Sequence, residues 1–174
     1  MPERNLPENG GAVVAALAQR GVALSDIAAI VHDLQSKHCP GLTLDDCLES
    51  VRKVLAKREV QQAILTGIAV DVMAERGMLP EPLLTIIVDD DPLFGVDEIL
   101  ALAITNVYGS IGLTNFGYLD REKPGLLARL NAGGRNSREV HTFLDDLVAG
   151  VAAAAAAKIA HGRGPRHTAR RPAP

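Results

Sequence analysis

The sixteen residues from Thr142 to Ala157 read Thr-Phe-Leu-Asp-Asp-Leu-Val-Ala-Gly-Val and then six alanines. No other stretch restricts the fold as much. Ala and Leu favour helix, and no proline interrupts before Pro165. Val140, Leu144, Leu147, Val148 and Val151 recur at i, i+4, i+7, i+8 and i+11, which is one helical face. Beyond Asp146 the remaining faces are apolar too, and a helix apolar all round is a buried one. The spacing predicts a helix capped by Ser137, ending near His161, with Asp145-Asp146 two turns inside it. Two acids entering a buried helix need a partner, because an unpaired buried charge is very costly. Between Arg138 and Lys158 there is no Lys or Arg to serve. This helix is the predicted centre of the fold, and Asp145-Asp146 part of a site.

At 174 residues the chain suits one domain with a real core. Apolar residues follow helical rather than alternating patterns, and the fold expected is an all-α compact bundle of about six helices around the central apolar helix. Residues 1–11 are expected to be disordered, 12–161 to form a single helical domain, and 162–174 a disordered basic tail. Short helices are predicted over 12–19 and after Ser25. A third is capped by Thr43 with Asp46 three residues on, a capping-box arrangement. A fourth covers 59–76 and stops at Gly77. Residues 83–88 have strand propensity but no second strand-like run to pair with, so a short buried helix or an extended segment is expected. One long helix is predicted from about Pro92 or Gly95 towards Ile111. Another runs from 116 to 130, with Pro124 in a first turn, and residues 131–136 form a loop.

The net charge of −3 hides an asymmetry. Lys158, Arg163, Arg166, Arg170 and Arg171 stand in a C-terminal stretch without acids, so residues 1–157 carry −8. An acidic body argues against nucleic acid as a partner. For the basic tail, a solubilising role is the plainer reading and peripheral contact with anionic lipid the alternative. Cys39 and Cys47 form no CxxC, which signals neither a disulfide framework nor zinc, and no signal-peptide pattern opens the chain. A reduced, cytoplasmic setting is expected. Residues 99–119 carry no formal charge, yet their load of Gly, Ser, Thr and Asn points to a protein interior rather than a transmembrane span. That uncharged surface is a candidate homo-oligomer interface.

Between Arg76 and Arg121 there is no Lys or Arg, while Glu81, Asp89, Asp90, Asp91, Asp97, Glu98 and Asp120 all fall there. A solvated helix face normally mixes signs. Three places thus deliver carboxylates into apolar surroundings: Asp97-Glu98, Asp120 and Asp145-Asp146. Carboxylates brought together raise one another's pKa unless a cation neutralises them. Hard oxygen ligands suit Mg²⁺ or Mn²⁺. The plainer readings are that Asp97-Glu98 answer a helix dipole and that Asp120 caps a helix. Asp89-Asp90-Asp91 reads as a solvated turn rather than a ligand set, and His141 as a polar helix residue rather than a ligand.

Four segments carry a resemblance. They are Gly95-Val96-Asp97-Glu98, Asn106-Val107-Tyr108-Gly109-Ser110-Ile111-Gly112, Leu119-Asp120-Arg121-Glu122-Lys123-Pro124 and Leu144-Asp145-Asp146-Leu147-Val148-Ala149-Gly150. Together they resemble the phosphatidylglycerophosphatase A family, most closely its soluble YutG-like branch, over roughly residues 22–161. The resemblance implies a helical bundle and Mg²⁺-dependent hydrolysis of a phosphomonoester, phosphatidylglycerophosphate in the membrane-bound relatives. It implies Asp97, Glu98, Asp145 and Asp146 as metal ligands, and Asp120 and Asp146 as catalytic carboxylates. Lys123 is the candidate substrate contact, with a solvated lysine as the plainer reading. Gly117 stands where the membrane enzymes carry an Arg that would grip phosphate in bidentate fashion. The alternative is a non-catalytic divalent-metal-binding protein of the same fold.

Overall fold

The computed structural model describes residues 9–163 other than 93, 137 and 138. Residues 1–8, the expected Ser137 cap and residues 164–174 of the basic tail lie outside the described residues. In chain order the helices are α1 (Asn9–Gln19), α2 (Leu24–Gln35), α3 (Leu44–Leu55), α4 (Arg58–Glu75), α5 (Leu83–Val88), α6 (Val96–Thr105), α7 (Gly109–Glu122), α8 (Leu126–Asn136) and α9 (Leu144–Arg163). A 3₁₀ turn, Asn106–Tyr108, joins α6 to α7, and there is no strand among the described residues.

This is the all-α bundle around a central apolar helix, more finely divided than about six helices. α9 is that centre: every residue from Val140 to Ala157 is buried. α6 and α7 pack against it, α2 and α3 also contact it, and α4 and α8 complete the surround. The six alanines keep α9 slender, so neighbouring backbones come close. Ser50 Oγ on α3 donates to the Ala155 carbonyl at 3.0 Å. Gly67 on α4 faces α9 so tightly that a Cβ there would lie 2.5 Å from Leu147 Cδ1 and 3.0 Å from Phe143 Cβ.

Several expected boundaries move, each for a local reason. α9 starts at Leu144, so Asp145 and Asp146 stand in its first turn, not two turns inside. The cause is a cap from another helix. Asp71 on α4, fully buried, accepts the Phe143 N–H at 3.1 Å and the Leu144 N–H at 3.0 Å, which satisfies donors that a helix start leaves free. The predicted helix through Pro124 is split. Lys123 ends α7 with φ 44 and its N–H on the Leu119 carbonyl, and proline disfavours right-handed helix in the residue before it. Residues 131–136, expected as a loop, continue α8. Ala23, not Ser25, is the N-cap of α2, whereas Thr43 and Asp46 do form the capping box of α3. The segment over 83–88 is helical.

The stretch Val96–Glu122 is long and apolar enough by composition to cross a membrane. It is not one straight rod. Asp97 near its start and Asp120 and Lys123 near its end line the same cavity, so the chain folds back at the 3₁₀ turn. Its two arms have 10 and 14 residues, or about 15 and 21 Å, short of the about 30 Å of a hydrocarbon core.

Candidate functional site

Four chain segments meet at the N-terminal end of α9. They enclose a cavity of about 270 Å³ whose walls include Asp90, Asp91, Asp97, Glu98, Asp120, Lys123, Thr142, Asp145 and Asp146. Every residue singled out from the sequence as a site candidate lies here. Asp97 and Glu98 occupy the first turn of α6, after Gly95 at φ 69, a backbone turn that glycine makes without strain. Asp120 lies in the last turn of α7, and Asp145 and Asp146 open α9. Carboxylates at two helix starts answer the dipoles of α6 and α9.

Lys123 is the partner Asp145 and Asp146 require. Its left-handed backbone turns the chain after α7 so that Nζ lies 2.8 Å from Asp120 Oδ1, 2.8 Å from Asp145 Oδ2 and 3.2 Å from Asp146 Oδ1. The plainer reading of Lys123 as a solvated lysine is thereby corrected: its side chain is 22 % exposed and bridges three acids. Burial opposes its charge, but Asp145 and Asp146 outweigh burial and hold its pKa above the ordinary value. Burial also raises Asp145, with Lys123 opposing. Asp146 is pushed up to about 8, by burial first and then by the Asp145 carboxylate. Asp97 is raised as well, by burial ahead of the nearby Asp90. One ammonium thus faces more negative charge than it neutralises.

Among the described residues, no three Asp, Glu, His or Cys side chains stand as a ready-made metal ligand set. The carboxylates nearest one another converge on Lys123 Nζ. Carboxylate oxygens are hard donors of the kind Mg²⁺ or Mn²⁺ take, and the cavity's polar walls supply several. Glu98 is exposed at the rim, Asp97 half-buried, and Asp145 and Asp146 buried.

Sequence reasoning missed four contributors. Asp71 has no local signal, because its partners lie more than seventy residues away; burial lifts its carboxyl to about 8 against the two backbone N–H groups it accepts. Thr142 Oγ1 donates to the Ile87 carbonyl at 2.6 Å and ties α5 to the start of α9. Asp90 and Asp91, read as a solvated turn, line the cavity. His141 is buried, with Nδ1 2.9 Å from the Leu130 carbonyl and Nε2 3.4 Å from Glu139 Oε2. It braces α8 and does not line the cavity. Gly117 lies one turn before Asp120, exposed, and a Cβ there would meet nothing within 4 Å.

Fold and site define an all-α protein built on a buried alanine-rich helix that presents acids to a lysine-bridged cavity. The chain belongs to the phosphatidylglycerophosphatase A family, whose model matches residues 13–161. It is 55% identical to the uncharacterized protein YutG of Bacillus subtilis (strain 168) over 154 residues, 88% of this chain and 90% of that one. It is 56% identical to the uncharacterized protein YpjQ of the same organism over 145 residues, 83% and 80% of the two chains. In three dimensions it is similar to the low temperature requirement C protein from Listeria monocytogenes, with TM-score 0.86, 55% identity and coverage of 90% of this chain and 97% of that one. These relatives place it in the YutG-like branch.

Proposed function

We propose that this chain is a phosphomonoester hydrolase dependent on Mg²⁺ or Mn²⁺. The phosphate headgroup of phosphatidylglycerophosphate is the substrate class that the family name suggests. The observation carrying this reading is the convergence of Asp97, Asp120, Asp145, Asp146 and Lys123 on one cavity from three helices and the turn after α7. Asp97, Glu98, Asp145 and Asp146 would hold the cation. When bound, it would neutralise charge developing on the phosphoryl oxygens.

The chain's own residues take the remaining roles. Asp120, on the cavity wall and 2.8 Å from Lys123, accepts the proton of the attacking water. The water oxygen bonds to phosphorus as the P–O ester bond breaks, and the leaving alkoxide takes up the proton held on Asp120 to become the alcohol. Lys123 supplies positive charge to the phosphoryl group, a task the membrane relatives' Arg would share and exposed Gly117 cannot. The helix start of α9 keeps Asp145 and Asp146 aimed into the cavity, because Asp71 fixes its first turn.

Phosphate release by the purified full chain with Mg²⁺ tests this, on phosphatidylglycerophosphate in mixed micelles and on a panel of small phosphomonoesters. The expected result is turnover that falls about 100-fold or more in Asp145→Asn and in Asp120→Asn. No release from any substrate, with Mn²⁺ still binding the wild type but not Asp145→Asn, would favour the non-catalytic metal-binding reading.

A further inference from the structure

A phosphoryl group entering the cavity needs hydrogen-bond donors, and most of those in the walls are already engaged. The three N–H groups of Lys123 go to Asp120, Asp145 and Asp146, at 2.8, 2.8 and 3.2 Å. Thr142 Oγ1 donates to the Ile87 carbonyl. Helix starts commonly offer backbone N–H groups to phosphate, but here acids of the chain take them. Asp97 Oδ1 accepts the Glu98 N–H at 2.9 Å, Asp145 Oδ1 accepts the Asp146 N–H at 3.0 Å, and Asp71 takes those of Phe143 and Leu144. Apart from the carboxyls, which a bound cation would keep ionised, one side-chain donor in the walls is left. It is the amide of Asn131, which has no hydrogen-bond partner among the described residues.

We infer that Asn131 is a substrate-contacting residue whose side-chain NH₂ donates to a non-bridging oxygen of the phosphomonoester's phosphoryl group. The inference rests on the phosphomonoester reading of the cavity. Nothing in the packing of α8 calls for an asparagine at this position. Asn131 is the sixth of the eleven residues of the helix, and asparagine is a poor helix former that favours caps and turns, because its side chain competes for nearby backbone groups. Here it neither caps an end nor bonds back to the helix, and it is partly buried at the cavity wall. Its neighbour fixes its place. Leu130 is buried, and its carbonyl lies 2.9 Å from Nδ1 of the buried His141. A carbonyl only accepts, so Nδ1 carries the proton, and the bond pins this turn of α8 against the residue before Thr142. An amide can present either end. In a cavity walled by carboxylates the NH₂ end is the favourable one to turn inward, and it offers two neutral donors to an anion. Neutrality suits the site. The amide hydrogen-bonds a phosphoryl oxygen without competing, as Lys123 does, for the acids that would hold the cation. Lys123 contributes charge and Asn131 the open hydrogen bond.

Isothermal titration of inorganic phosphate into the full chain saturated with Mg²⁺ tests it. Asn131→Ala should weaken phosphate binding about 10-fold or more, the range for a lost hydrogen bond to a charged group, and should raise KM for phosphomonoesters by a similar factor. Mg²⁺ affinity should not move, and the melting temperature should hold or rise, since alanine is the better helix former. Asn131→Asp keeps the shape, removes the donors and adds negative charge. Phosphate binding should fall further in it, while Mg²⁺ binds at least as tightly as in the wild type. Phosphate affinity unchanged in Asn131→Ala overturns the inference, whatever Asn131→Asp does. So does a loss of melting temperature and Mg²⁺ affinity alongside phosphate affinity in Asn131→Ala, which would make the residue structural. A raised KM with inorganic phosphate binding unchanged would put the amide against the alcohol part of the ester and overturn it too. A wild type that binds no phosphate overturns the reading of the cavity together with the inference. Wild-type phosphate binding or turnover that Asn131→Ala fully retains overturns the inference alone.

Discussion

The ammonium of Lys123 lies 2.8 Å from the Asp145 carboxylate, across 22 residues of sequence, and the same nitrogen reaches Asp120 and Asp146. The cavity therefore carries its own cation at the point where its acids come closest. Lys123→Met removes that charge and leaves the buried carboxylates facing one another. Unfolding in urea at pH 8 should show a loss of about 3 kcal/mol, as for other broken buried pairs. The loss should be smaller at pH 5, where Asp146 takes up a proton. Titration calorimetry of the same variant should show tighter Mn²⁺ binding than the wild type, while phosphate release is lost. Weaker Mn²⁺ binding would mean that Lys123 supports the cation site instead of competing with it.

The pH dependence of stability follows from the raised carboxyls. Asp71 and Asp146 titrate near 8 in the folded chain against an ordinary value of 3.8. Folding therefore favours their protonated forms. The stability they contribute is fully present below about pH 4 and is lost as pH rises through 8. Glu75 has the opposite sign: although burial opposes it, Arg20 holds its carboxyl below the ordinary value, so its contribution fades as pH falls through the acid range. The metal-free chain should melt highest near pH 5 and progressively lower towards pH 8.5 by differential scanning fluorimetry. Mn²⁺ should raise the melting temperature at pH 8 far more than at pH 5.

Asp71 acts on the site through the backbone. Asp71→Ala strands the Phe143 and Leu144 N–H groups inside the protein. A cost of about 2–3 kcal/mol in denaturant unfolding is expected, the range for lost caps and buried unsatisfied donors. Asp71→Asn keeps one acceptor and should cost less. Hydrogen exchange should show the start of α9 opening first in both variants.

Gly67 is held to glycine by α9. Alanine there would gain about 1 kcal/mol in helix propensity. Leu147 Cδ1 at 2.5 Å can swing away, but Phe143 Cβ at 3.0 Å is tied to the backbone. Overpacking of this kind costs about 1–3 kcal/mol, so a net loss of about 1 kcal/mol is expected for Gly67→Ala in the same unfolding assay.

Where a signal was local, the sequence revealed it. The all-round apolarity of 147–157 identified the central helix, and Thr43 with Asp46 marked a helix start. Acids without neighbouring bases at Asp97, Glu98, Asp120, Asp145 and Asp146 marked the cavity walls. Pro124 carried information that went unused: it disfavours helix at Lys123, and the turn it forces is what carries the ammonium back to Asp145. Asp71 sits in an ordinary helical stretch, and only the folded chain brings it to Phe143 and Leu144. The helix break expected between 111 and 116 falls instead at Asn106–Tyr108, before Gly109 at φ 72, and an uncharged helical pattern gives no local sign that the chain folds back there.

The most direct test of the proposed cation site is a crystal soaked in Mn²⁺ at pH 8 and recorded at the manganese absorption edge. An anomalous peak is expected inside the cavity, within ligand distance of Asp145 or Asp146 and of Asp97, with Lys123 Nζ withdrawn from at least one of its three carboxylates. Full saturation with Mn²⁺ and no peak there, with Lys123 still bridging Asp120, Asp145 and Asp146, would contradict it.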